Sequence, residues 1–335
     1  MTPREIILAN ISHDNPERPG LTFSGGRIND MLYAGPGPSR TYRPKRWRDG
    51  NREYYDDEWG NIWVRMADGP VKGEIFKPVL DDWNKLEDLE PPDYDDPGRW
   101  TEMRRLFAQP TDKFKLAGIG GWIFDNARYL RKMEVYFIDM VEHPRQLKRL
   151  HKLVAGVYEA KIRAAGQAGA DGIAIGEDMG TQTGLLFSPQ MWREYFKGLY
   201  TRLFGIAHEY GMKVLMHSCG QNWQILDDLL DAGVDVFQFD QPVAYDMPAL
   251  AAKLRQRKAA LWSPVDIQKV LPTGDRAFIE AEAHRMVQTF RGALIVKDYP
   301  DLPGIAVKNE WDTWAYNAVL QAAGIDPGPQ NPCEP

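Results

Sequence analysis

Residues 172–219 read GIAIGEDMGTQTGLLFSPQMWREYFKGLYTRLFGIAHEYGMKVLMHSC, and their rhythm decides the fold. GIAIGED (172–178) is a short apolar run that ends in two acids. Ser188-Pro189 then opens a helix, with serine as N-cap and proline at the first helical position. That helix carries Trp192, Tyr195, Phe196, Leu199, Leu203 and Phe204 at helical spacing. KVLMHS (213–218) is a second apolar run, again ending in polar residues. A strand, a helix and a strand in succession form the unit of parallel α/β folds.

The unit repeats outward in both directions. Upstream, FKLAGIG (114–120) reads as a strand. A helix spans Ala127 to Val141 and another Arg145 to Gln167, with Leu147, Leu150, Val154, Val157 and Ile162 on one face. Downstream come helix 222–232, strand DVFQFD (235–240), a helix capped by Asp246 and strand ALWSPVD (260–266). A helix capped by Asp275, strand ALIVKD (293–298) and a closing helix at 309–323 complete the order. The strands are apolar and β-branched, as strands covered on both faces are. With LTF (21–23) they number about seven, close to the eight of a (β/α)8 TIM-type barrel. An open doubly wound sheet would carry a glycine fingerprint in its first turn, and the chain has no GxGxxG. GIGGW (118–122) is too short to serve as one.

Residues 1–113 are irregular. They hold the first strand, a hairpin in which NIWVRM and VKGEIF flank ADGP, and an acidic, proline-rich connection at 81–100 that reads as surface. The basic run 39–52 has six basic residues against one acid, with Tyr42 and Trp47 among them. It reads as a solvated loop balanced by EYYDDE; the sharper alternative is a docking patch for an acidic partner. The tail 324–335 looks frayed, and the whole chain reads as one barrel domain.

At 335 residues and a formal charge of −6, the chain is long enough for a sizeable core and too acidic for a dedicated nucleic-acid binder. No apolar run reaches membrane-span length, and MTPREIILANIS lacks the plan of a signal peptide. The expectation is a soluble cytoplasmic protein, with homodimer formation left open. Its two cysteines, Cys219 and Cys333, lie far apart and make no disulfide framework.

Polar residues stand where each predicted strand ends, and parallel α/β folds place their sites there. His217 and Cys219 are two apart, so on a strand they face one point. Imidazole nitrogen and thiolate sulfur suit zinc; buried packing of both is the alternative, since free cysteine is often buried. A third ligand must come from another strand end, and Glu177 and Asp298 are the candidates, Glu177 preferred. Asp178 and Asp240 are the expected acid/base or orienting residues; Gln182, Gln238 and Asp266 are expected to touch substrate. His208 reads as an ordinary surface or core histidine.

Three segments carry a resemblance: GIAIGEDMGTQTGLLFSPQMWREYF, VLMHSCGQNWQILDDLLDAGVDVFQFDQP and ALWSPVDIQKVLPTGD. They resemble the uroporphyrinogen decarboxylase superfamily, above all its zinc- and corrinoid-dependent methyltransferase branch. NPERPGLTFSGG and DEWGNIWV with GPVKGEIFKPVLDDWNKLEDL are similar to that branch too. The resemblance implies a (β/α)8 barrel with a cleft at the strand ends. Decarboxylases of the family carry R-Q-A-G-R; here the place reads Phe23-Ser24-Gly25-Gly26-Arg27, so only Arg27 has a counterpart among the substrate-binding arginines. The methyltransferases hold zinc by H-x-C and a later cysteine. His217 and Cys219 match the pair; the later position falls near Lys297-Asp298-Tyr299, which has no cysteine. One thiolate fewer makes a bound zinc a harder Lewis acid, suited to polarising an oxygen. The expected activity is therefore methyl transfer from a small O-methyl donor to a corrinoid protein. The chain lacks D-x-H-x-x-G, so cobalamin would arrive on a separate partner. A metal-free decarboxylase using Arg27, and a non-catalytic binding barrel, are the alternatives.

Overall fold

The computed structural model describes residues 1–69 and 73–327. The expected ADGP turn runs into the undescribed residues 70–72, and Cys333 with the end of the tail lies outside the described part. Among the described residues, twelve strands form two sheets: β1 Gly20–Thr22, β2 Met31–Ala34, β3 Arg46–Asp49, β4 Arg52–Asp56, β5 Ile62–Met66, β6 Glu74–Lys77, β7 Phe114–Gly118, β8 Gly172–Gly176, β9 Lys213–His217, β10 Val236–Gln238, β11 Ala260–Ser263 and β12 Leu294–Lys297. The larger sheet has eight strands in the order β1-β12-β11-β10-β9-β8-β7-β2, and every ladder between them is parallel. This is a nearly closed (β/α)8 barrel. The eighth strand, MLYA in β2, escapes the sequence pattern because the stretch between it and β1 holds no helix.

The first helix, Pro3–Ser12, is set by Thr2, whose hydroxyl accepts from the Glu5 amide while the Glu5 carboxylate accepts from Thr2. Its Ile7 and Ile11 pack on Phe114, Leu116, Leu215, Val236, Ala260 and Ile295, at or near the strand beginnings. That plug closes the end of the barrel opposite the polar strand ends. No helix among the described residues is long and apolar enough to cross a membrane.

Two predicted helices are reshaped. The one expected over 127–141 is two, Ile123–Arg131 and Met133–Glu142, broken at Lys132 with φ 68°. The break turns the buried Arg131 guanidinium onto Asp139 (2.7 Å) and the Leu80 carbonyl (2.6 Å). The helix after β8 contains a π turn, Arg193–Lys197, between Trp192 and Gly198. An added residue in one turn rotates the remainder of the helix, and Tyr200 meets Glu177.

The smaller sheet, β3-β4-β5-β6, is antiparallel and lies over the mouth of the barrel. Its β4–β5 turn carries Asp57, Glu58 and Trp59 to the cavity. The basic run is an exposed loop that leads into the β3–β4 hairpin, with Arg40 in the loop paired to Asp96 and Arg46 in β3 to Glu53. The connection 81–100 is more than surface: Leu86, Arg99 and Trp100 are buried, and Pro92 and Tyr94 reach the cavity.

Candidate metal centre

Strand β9 ends at His217, and the alternation of a strand runs one step further. Ser218 is buried and its amide donates to the Gln238 carbonyl, while Cys219 returns to the side of His217. The turn after it is pinned. Tyr245 donates its hydroxyl to the Gly220 carbonyl (2.7 Å), and the Asn222 amide reaches the Cys219 carbonyl (3.2 Å). Gly220 has φ 75°, in the left-handed region, and touches Gly180 of the loop after β8. A Cβ on Gly180 would lie 2.7 Å from the Cys219 carbonyl oxygen, so only glycine lets the two loops approach.

That approach brings Asp178 to the pair. Its Oδ1 accepts from the Cys219 amide (3.1 Å) and stands 3.3 Å from His217 Nε2. Cys219 Sγ lies 3.5 Å from the same nitrogen, and the three donor atoms are all within 4.8 Å of one another. A tetrahedral zinc with N and O near 2.0–2.1 Å and S near 2.3 Å separates N from O by about 3.3 Å and N from S by about 3.6 Å. The histidine–carboxylate and histidine–thiol spacings match both. The donor set is one nitrogen, one sulfur and one oxygen, which leaves a fourth position for another ligand, as catalytic zinc sites do.

A second layer sets the histidine. Gln238 Nε2 donates to Asp240 Oδ1 (2.6 Å), which only accepts, so Gln238 Oε1 faces His217 Nδ1 (2.5 Å). Nδ1 must then carry the proton, and the Nε2 lone pair points at Cys219 and Asp178. Lys297 completes the line, 3.5 Å from Asp240. A ligating histidine held through its other nitrogen in this way is a recurrent feature of metal sites. Burial pulls the His217 pKa down, but the hydrogen bonds to Asp178 and Cys219 and the charge of Asp240 carry it well above its ordinary value.

The other expected site residues fall elsewhere. Glu177, preferred as third ligand, is fully buried and turned away from the pair. Its carboxyl accepts from the Phe124 and Asp125 amides (2.6 and 3.3 Å) at the start of helix Ile123–Arg131 and from the Tyr200 hydroxyl. Burial and the charge of Asp125 push its pKa well up, and its contacts make it a structural group that ties the start of this helix to the end of β8. Asp298 binds Arg27 (2.8 Å) and both the amide and hydroxyl of Ser24. Arg27 spends its other nitrogen on Asp312 (2.7 Å), so it offers no free clamp for a substrate carboxylate. Asp266 accepts from the Val243, Gln268 and Lys269 amides and holds loops together. Gln182 is exposed on the loop after β8. Gln238 and Asp240 are buried behind the histidine and act through it.

Asp178 and His217 open onto a cavity of about 650 Å³. Its walls are Trp59 and Trp63 from the smaller sheet, Tyr94, and Tyr129 and Tyr158 from the barrel helices, with Gly120 and Gly121 after β7. Lys161 lines it as well. The sequence pattern missed Tyr94 and Lys161, since each lies in a stretch with no motif; Lys297 stands at a predicted strand end, where its neighbour Asp298 was the residue singled out. Lys161 had one signal, a charged residue within the apolar stripe of helix Pro144–Gln167.

The profile of the uroporphyrinogen decarboxylase (URO-D) family matches residues 61–296. No curated protein matches the chain. Among solved structures, a methyltransferase from Methanosarcina mazei shares 17% identity, with 76% of this chain and 72% of that chain covered and a TM-score of 0.59. At that identity the likeness concerns the fold. A D-psicose 3-epimerase from Clostridium cellulolyticum H10 is similar at 10% identity and a TM-score of 0.43, over 72% of this chain and 86% of that one. The profile spans six of the eight barrel strands, β7 to β12, with β5 and β6 of the smaller sheet and the loops that carry Asp178, His217 and Cys219, and the chain belongs to the uroporphyrinogen decarboxylase (URO-D) family.

Proposed function

We propose that the protein is a zinc-dependent methyltransferase that takes a methyl group from a small O-methyl donor and delivers it to a corrinoid held by a separate protein. The observation that carries this reading is the spacing of His217, Cys219 and Asp178, of which His217 and Asp178 line the cavity. A bound zinc would supply a Lewis acid to the donor's oxygen, whose leaving as an alkoxide or phenoxide is otherwise slow. Asp178 and Cys219 would balance its charge, and Gln238 and Asp240 would hold His217 in the ligating tautomer. The aromatic walls would seat the donor and keep water out. Asp178 thus takes the place expected of Glu177 or Asp298, and Asp240 becomes a positioning residue. Family membership and the methyltransferase barrel of Methanosarcina mazei support the reading. The metal-free decarboxylase alternative loses support because Arg27 is neutralised by Asp298 and Asp312.

The test is zinc content by mass spectrometry on reduced protein purified without chelator. The expected result is one equivalent in the wild type, a loss of tenfold or more in Asp178→Asn, and full retention in Glu177→Gln and Asp298→Asn. A wild type that takes up no zinc overturns the proposal. Methyl transfer to free cob(I)alamin from a panel of O-methyl compounds then tests the reaction.

A further inference from the structure

Lys161 sits in the last third of helix Pro144–Gln167, is 8% exposed and lines the cavity. Its ammonium has three N–H groups. Among the described residues, one bond reaches an acceptor, the Ile119 carbonyl at 3.0 Å. The rings of Tyr94 and Tyr158 lie 4.2 and 4.7 Å away and give it two aromatic faces. It forms no ion pair with any described residue. The acids nearby are already committed: Glu58 holds Arg99 through two 2.7 Å bonds, Asp57 accepts from Asn61 and from the Trp63 indole (2.7 Å), and Asp125 pairs with Arg128.

A buried ammonium without a counter-ion is costly, and structures keep one where an anion will join it. Burial first, then the charge of Arg99, pushes its pKa down to about 7, against a smaller lift from the charge of Glu58, which is bonded to Arg99 and not to the ammonium. Around it the cavity is walled by two indoles and three phenols, surfaces on which a flat ring stacks.

We propose that the cavity takes a planar aromatic carboxylate, its ring against Trp59, Trp63, Tyr94 and Tyr158 and its carboxylate on Lys161. This rests on the preceding reading only in taking the same cavity as the substrate site. Lys161 is then the specificity-determining residue, remote in sequence from the His217–Cys219 pair, and the anion supplies the direct ion pair that no described residue makes with it.

The experiment uses the full chain stripped of metal by chelation, so that zinc plays no part. Benzoate and benzamide, equal in shape and different in charge, are titrated calorimetrically into wild type, Lys161→Met and Lys161→Gln. The expected result is benzoate at least tenfold tighter than benzamide in the wild type, with that preference gone in both variants and benzamide unchanged. Equal binding of the two ligands by the wild type, or a preference that survives in a folded variant, overturns the inference. If neither variant folds, the wild-type comparison decides, together with acetate, which lacks the ring and must bind at least tenfold more weakly than benzoate. Charge-selective binding with no zinc uptake would sink the methyltransferase reading alone; zinc uptake without charge selectivity would sink this one alone.

Discussion

Replacing Lys161 by methionine should stabilise the protein, and more so in mild acid than in mild base. Burial and Arg99 lower the Lys161 pKa from 10.5 to about 7. That displacement of roughly 3.5 units corresponds to about 5 kcal/mol. Proton counting gives the sign. Between pH 7 and 10.5 the unfolded chain holds a proton that the folded chain lacks, so wild-type stability rises with pH there. Below pH 7 both states are charged and the folded state bears the full cost. Methionine fills the same space without charge. It leaves the Ile119 carbonyl unpaired, a loss of about 1–3 kcal/mol. The net gain should be about 2–4 kcal/mol at pH 6. By pH 8.5 it should shrink by about 2 kcal/mol, from 1.5 units at about 1.4 kcal/mol each. The groups around the ammonium do not blur this window. Arg99, Tyr94 and Tyr158 are all pushed up, away from it. Urea unfolding of chelated wild type and variant at pH 6, 7 and 8.5, compared through midpoints and slopes, measures the difference. A gain that is the same at pH 6 and 8.5, or a variant less stable at pH 6, refutes the reasoning.

Gln238→Leu should weaken zinc binding roughly 10–100-fold in a chelator competition, since His217 loses the acceptor that fixes its tautomer; an unchanged affinity would remove Gln238 from the site. Gly180→Ala should lower zinc content while circular dichroism shows an intact barrel, because the new Cβ must push the Asp178 loop off the Cys219 carbonyl. Arg27→Met should cost about 2–4 kcal/mol in urea unfolding, for it strands Asp298 and Asp312 with one charge each, and zinc content should not change; lost zinc would place Arg27 in the site after all.

The barrel was legible because strands buried on both faces are apolar runs, and β7 to β12 are such runs. Strand β2 was hidden because no helix separates it from β1, and β3 and β4 by their charge. In the site, the two-residue spacing of His217 and Cys219 was enough to pair them. The choice between Glu177 and Asp178 needed the register. Gly176 stands opposite His217, so the residue two beyond it, Asp178, faces the same way and Glu177 faces the opposite way. Gln238 is opposite His217 on the other side, which is why it reaches the ring. Neither fact is written in one strand alone. Tyr94, Lys161 and Trp59 meet only after distant segments have folded together, and no local pattern announces them.

The order of the strands around the barrel also orders its making. Strand β1 pairs with β12, Gly20 opposite Ile295, so that seam cannot form until nearly the whole chain has left the ribosome. Strands β7 to β10 pair with their neighbours in chain order, β7 also with β2. Asp178, His217, Cys219, Gln238 and Asp240 all lie on or just after three of them. The metal centre is thus encoded in the part of the barrel that can be synthesised and paired as one block, and the last-made strand adds to it only Lys297, the outermost link.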